Sequence, residues 1–163
     1  MRTNTPSYDR LCLFYKRQGY PDWGARYVPA MQATAEEAPN ISWASTTYSS
    51  RVGRDIQTFS LGELALAALA LLNPNLLDLQ EARVLPTEPA SGPLFGSPYE
   101  PPINVLPLEG TVQVADRLNL LHFHPKVKIP KEAPGGGSMS PYPYLGDFLL
   151  YLRDKEGPYC VNW

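Results

Sequence analysis

The chain has 163 residues, 44% apolar and 18% charged, which suits one domain with a real hydrophobic core and excludes a disordered chain or a coiled coil. Its two cysteines, Cys12 and Cys160, lie far apart without CxxC companions, which excludes a zinc set or a disulfide framework. A formal net charge of −2 argues against a nucleic-acid binder if taken whole.

The charge is unevenly spread. The first 28 residues hold Arg2, Arg10, Lys16, Arg17 and Arg26 against Asp9 and Asp22, and a second basic run, HFHPKVKIPK, spans His122 to Lys131. Such polarity fits DNA contact on one side and fits a solvated charged face equally well. The N-terminal MRTNTPSYDR has no apolar stretch like that of a signal peptide, and the longest apolar run, Leu64 to Leu72, falls well short of the roughly 20 residues that cross a bilayer. The expectation is a soluble, cytoplasmic protein without membrane contact.

In chain order, a short helix is expected from Tyr8 to Gln18, followed by a loop-rich stretch with scattered aromatics. Residues 1–55 then form an extension packing on a core of residues 56–163. In TFSLGELALAALALLNPN, Ser60 is a natural N-cap and a helix runs from Leu61 to Leu72, its alanines and leucines burying most of its circumference. Asn73-Pro74 stops it, because proline breaks the hydrogen-bond ladder and disfavours helix in its predecessor.

LLDLQEARVL, Leu76 to Leu85, has the character of a strand. Pro86 to Pro107 is a proline-rich loop with Phe95 and Tyr99 as candidate anchors, and Thr111 to Leu121 is an amphipathic helix with Val114, Leu118 and Leu121 on one face. A second loop, KEAPGGGSMSPYPY, contains Gly135 to Gly137, which lack the GK(S/T) of a phosphate-cradling loop and are expected as flexible linkage. The end forms a hairpin: Phe148 to Arg153, a turn, then Tyr159 to Trp163.

The order is thus an acid on a helix (Glu63), a strand, an acid at the start of a hairpin (Asp147), and the second hairpin strand. Phosphodiester hydrolysis needs a hard divalent cation to polarise phosphate and activate water, and such cations take carboxylate oxygens. Acids on adjoining elements can share an ion.

Each acid also has a plainer reading. Ser60 with Glu63 three residues on is a capping box, Asp147 after Gly146 can be a turn residue, and Glu81, which at the end of its strand could line the site, is more simply a solvent-facing or ion-paired acid. His122 and His124 would share a face on a strand, but no further histidine or nearby cysteine completes a zinc set, which favours an orienting, phosphate-contacting or packing role.

SLGE at Ser60 to Glu63, NPNLLDLQE at Asn73 to Glu81, VADRLNLLHFHP at Val114 to Pro125, GDFLLYL at Gly146 to Leu152 and CVNW at Cys160 to Trp163 form an ordered set. That set resembles the TnsA-like transposon endonucleases, members of the restriction-endonuclease-like superfamily, over roughly Arg54 to Trp163. The resemblance implies an α/β fold with a restriction-endonuclease-like core, a small mixed β-sheet flanked by helices. It implies Mg²⁺ (Mn²⁺ as substitute) held by Glu63 and Asp147, with the main-chain carbonyl of Trp163 close by.

The implied activity is cleavage of one DNA strand at each transposon end, beside a DDE-type transposase and a regulatory ATPase. Asn162 occupies a position that is usually Glu or Gln and need not be a carboxylate. Two departures stand out: the family's lysine would be the residue after Trp163, and residue 82 is Ala where the family often has Gln; the family's second, helical domain, which binds the ATPase, also has no counterpart in these 163 residues. A truncated fragment, inactive as it stands, is the corresponding expectation. The alternative is a non-catalytic DNA- or transposase-docking module on the same fold.

Overall fold

The computed structural model describes residues 6–39, 42–99 and 107–163; Arg2 and residues 100–106 of the expected long loop lie outside them. Helix α1 (Tyr8–Gln18) opens at Ser7, whose Oγ accepts the Arg10 amide at 3.3 Å, and it carries Asp9 in its first turn and Lys16 and Arg17 in its last. These charges oppose the helix dipole at both ends. Leu11 and Phe14, three residues apart, bury the inner face.

Strands β1 (Ser45–Ser49) and β2 (Arg54–Thr58) form an antiparallel hairpin where the sequence suggested only loops. The signal was present in STTYS and RDIQT, which flank SRVG with Gly53 at φ 73°, a turn geometry that glycine adopts without strain. The expected boundary at residue 55/56 therefore falls inside β2.

Helix α2 (Leu61–Leu72) has the expected limits. It does not bury most of its circumference: Ala67 and Ala70 are buried, whereas Leu61, Leu69 and Leu72 are 60%, 67% and 78% exposed. The helix meets the sheet through its small residues, which allow close approach on one face and leave the leucines of the opposite stripe outside.

The central sheet is β3 (Leu76–Val84), β6 (Leu145–Asp154) and β7 (Gly157–Asn162), in the order β3-β6-β7. Every strand pair among the described residues is antiparallel, so the mixed sheet expected is not found among them; a parallel neighbour needs a crossover connection, and adjacent strands here are joined by turns or by the long excursion between β3 and β6. The terminal hairpin is longer than expected, since β6 starts at Leu145 and holds Asp147 within the strand. One face of the sheet (Leu79, Phe148, Leu150, Leu152) packs with Ile56 and with Ala67 and Ala70 of α2.

On the other side Tyr151, fully buried, directs its hydroxyl to the Gln80 side chain and the Pro93 carbonyl, both at 3.3 Å, and its ring lies 5.9 Å from that of Tyr99. Tyr99 thus anchors the proline-rich loop; Phe95 is 50% exposed and does not. The outer edge of β3 is covered by the N-terminal segment, through Gly24 N to Asp78 Oδ2 at 2.8 Å, Gln80 Nε2 to Asp22 O at 2.9 Å and Ala30 N to Ala82 O at 3.1 Å. No helix among the described residues is long and apolar enough to cross a membrane.

Helix α3 (Thr111–Arg117) is shorter than expected. Asn119 adopts φ 59°, its N–H reaches Asp116 O at 2.9 Å and Leu120 N–H reaches Ala115 O at 2.7 Å. This left-handed cap turns the chain away before Leu121. His122 and His124 accordingly lie in a single helical turn and its cap, not on a strand; His122 is exposed, and buried His124 bonds Thr111 Oγ1 at 3.1 Å, a packing role.

The second loop contains a ribbon of β4 (Lys126–Lys128) and β5 (Met139–Pro141). Its glycines are ordered parts of the turn, not linkage: Gly135 and Gly137 take φ 75° and 87°, and a Cβ on Gly136 would lie 2.3 Å from the Lys131 carbonyl.

Candidate active-site cleft

Helix α2 begins where β2 ends, so its first turn hangs over the end of the sheet from which β6 departs. This juxtaposes two acids distant in sequence. Glu63 and Asp147 both line a cleft of about 40 Å³, together with Met31, Gln57, Phe59 and Glu81. A water molecule in the liquid claims about 30 Å³, so the space accepts an ion with a water but no organic substrate.

Glu63 is held by its own helix start. Its amide donates to Ser60 Oγ at 3.1 Å, and its carboxylate accepts the Phe59 amide at 2.7 Å and the Ser60 hydroxyl at 3.1 Å. The capping box is therefore formed, with the amide of Phe59 in place of that of the N-cap residue. A carboxylate has about four lone-pair sites. Two are used by the cap, so capping leaves Glu63 able to face the cleft as well.

Glu81 is 1% exposed and held by Arg54 through Nη1 at 2.7 Å and Nη2 at 2.8 Å; it also accepts the Gln57 amide at 3.0 Å. Arg54 in turn lies 4.8 Å from the centre of the Tyr27 ring, and the Tyr27 hydroxyl donates to Glu81 O at 2.7 Å. Burial pushes the Tyr27 phenol well up, so it stays a neutral donor. Of the readings open for Glu81, two are observed together: it is ion-paired, and it lines the cleft. Neither Arg54 nor Tyr27 was singled out in the sequence, where nothing local links them to Glu81 across more than 25 residues.

Asp147 differs from both. It is exposed and has no hydrogen bond or ion pair among the described residues. The pairs Glu81–Phe148 and Arg83–Gly146 put Ala82 opposite it, and Ala82 has φ 47°, a left-handed conformation in mid-strand. The displaced Ala82 carbonyl accepts from Ala30 N and Gln18 Nε2, each at 3.1 Å. Such strain costs about 1–3 kcal/mol and persists only where the surroundings impose it.

Trp163 extends the β6–β7 ladder: its amide donates to Phe148 O at 2.8 Å and its carbonyl accepts from Phe148 N at 3.2 Å. It stands one position from Asp147 across the ladder but does not line the cleft. Asn162 is closer, since a Cβ on Gly146 would lie 2.6 Å from Asn162 Oδ1.

With Glu81 neutralised by Arg54, the cleft keeps two uncompensated carboxylates, a hard-oxygen donor set that suits a divalent cation completed by water. Among the described residues no group of three or more His, Cys, Asp or Glu side chains is arranged to hold a metal ion. No protein-family model matches the chain, and no curated protein is significantly similar to it.

Proposed function

We propose that this chain is the catalytic core of a TnsA-like, restriction-endonuclease-like DNA endonuclease, which cuts one strand at each transposon end beside a partner transposase and a regulatory ATPase. The observation that carries the reading is the meeting of Glu63, from a helix start, and Asp147, from a strand of an antiparallel meander, on one ion-sized cleft. Glu63 and Asp147 would hold Mg²⁺ or Mn²⁺, which supplies polarisation of the phosphate and a more acidic water. The chain's own part is to hold both carboxylates at the cleft, to pair Glu81 with Arg54, and to brace β3, the neighbour of the Asp147 strand, against the N-terminal segment.

The rival reading, a docking module on the same fold, draws support from the use of Glu63 as a helix cap. Titration with Mn²⁺ separates them. Binding that Glu63→Gln weakens and Asp147→Ala abolishes supports the endonuclease; no Mn²⁺ binding with DNA binding intact supports the docking module.

A further inference from the structure

The β4–β5 ribbon stands apart from the central sheet and has its own charge. Val127 is buried, whereas Lys126 and Lys128 on either side of it are exposed, and Lys131 is exposed in the turn. Between His122 and Tyr144 these three lysines face a single acid, Glu132, in a chain whose net charge is −2. None of the three forms an ion pair among the described residues, although Arg17, Arg26, Arg54 and Arg117 all do. The ribbon is also rigidly built: Tyr142 N donates to Pro125 O at 2.8 Å at its base, and Gly137 N donates to Ile129 O at 3.0 Å next to its turn.

Its position ties it to the cleft. Pro141 ends β5 and Asp147 follows six residues later, so the two are separated by at most about 22 Å even with the chain fully extended. That span corresponds to about six base pairs at roughly 3.4 Å each. Lys126 and Lys128 lie about 6.6 Å apart along one side of the strand, close to two phosphate steps along the axis of one DNA strand.

We infer that the outward face of this ribbon, Lys126, Lys128 and Lys131, carries the phosphate backbone of a DNA duplex whose scissile strand reaches the Glu63–Asp147 cleft. The inference rests on the endonuclease reading for the second half of that statement alone. The lysines contact phosphates and not base edges, so the ribbon contributes affinity and register without sequence preference.

The test is binding of a fluorescent 20-base-pair duplex in EDTA, where no cleavage occurs, over a series of NaCl concentrations. The parent and the triple variant Lys126→Gln/Lys128→Gln/Lys131→Gln are compared after thermal melts establish that both are folded. Each lost phosphate contact lowers the slope of log K against log salt by about 0.9, so the triple variant should lose about two to three from the slope and at least about tenfold in affinity at low salt.

Unchanged slope and affinity in the triple variant, or no duplex binding by the parent, would overturn the inference. Equal displacement of the duplex by poly-glutamate would do so too, by assigning the ribbon to acidic protein partners. Mn²⁺ binding at Asp147, measured separately, stands or falls without regard to the ribbon.

Discussion

Ala82 stands across the β3–β6 ladder from Asp147 with φ 47°, and its carbonyl is turned out to Ala30 and Gln18 of the N-terminal segment. The strand paired with the one that carries Asp147 is therefore shaped by residues outside the sheet. If this conformation is imposed by the fold, Ala82→Val should cost about 2–3 kcal/mol, because a β-branched side chain tolerates positive φ poorly. Ala82→Gly relieves the strain but loses a buried methyl and restricts a freer unfolded chain, leaving a net change within about 1 kcal/mol. Urea denaturation of the two variants checks the contrast; equal losses would show that the backbone there is not strained.

Arg54 and Glu81, 8% and 1% exposed, form a pair with little access to water. Arg54→Met should destabilise by about 3–5 kcal/mol, since it strands a buried carboxylate, whereas Arg54→Met/Glu81→Leu should recover much of that loss. A double-mutant cycle by chemical denaturation measures this. Additive losses would mean that the two side chains act separately.

Glu63 has two jobs in this account, and substitution separates them. Glu63→Ala removes the carboxylate half of the capping box, leaving the bond from the residue-63 amide to Ser60 Oγ, and should cost about 0.5–1.5 kcal/mol. Glu63→Gln keeps an acceptor for the Phe59 amide and should melt close to the parent without metal. Both should bind Mn²⁺ more weakly, by titration calorimetry. Parent-like Mn²⁺ binding in Glu63→Gln would leave Glu63 with capping alone.

Glu37 accepts two Arg17 hydrogen bonds at 2.7 Å, and these bonds hold its carboxyl below its ordinary value of 4.5. A lowered folded-state pKa contributes stability that is full above about 4.5 and is lost as pH falls below it, through the folded value. Arg17→Ala should therefore reduce stability by about 1–2 kcal/mol at pH 7 and flatten the fall in stability over the acid range. Melting curves of both proteins from pH 7 to pH 3 test it; parallel acid limbs would contradict it.

Local signals carried the elements that were legible in advance. Ser60 as a cap, Asn73-Pro74 as a stop, and the apolar run of DFLLYL are read within a few residues of one another, whereas STTYS and RDIQT hold a hairpin where the sequence suggested only loops. What stayed hidden depended on distance. Nothing near Arg54 announces a carboxylate 27 positions later, and no glycine marks Ala82 as left-handed. Asn119, by contrast, was a stop signal passed over, because asparagine takes positive φ almost as a matter of routine.

The two candidate acids were legible as a pair only through their order along the chain. Their position on one cleft follows from α2 starting directly at the end of β2, a tertiary fact. The pairing of Glu81 with Arg54 likewise appears only once β2 is placed beside β3.

The central claim is that Glu63 and Asp147 together form a divalent-cation site. Thermal melts of the parent and of Asp147→Ala, each with and without Mn²⁺, test it most directly, because a ligand that prefers the folded state raises its stability. Asp147 is exposed and without a partner among the described residues, so Asp147→Ala should melt at the parent's temperature or slightly above when metal is absent. The account predicts an upward shift with Mn²⁺ in the parent that vanishes in Asp147→Ala. An equal shift in both proteins, or none in either, would contradict it.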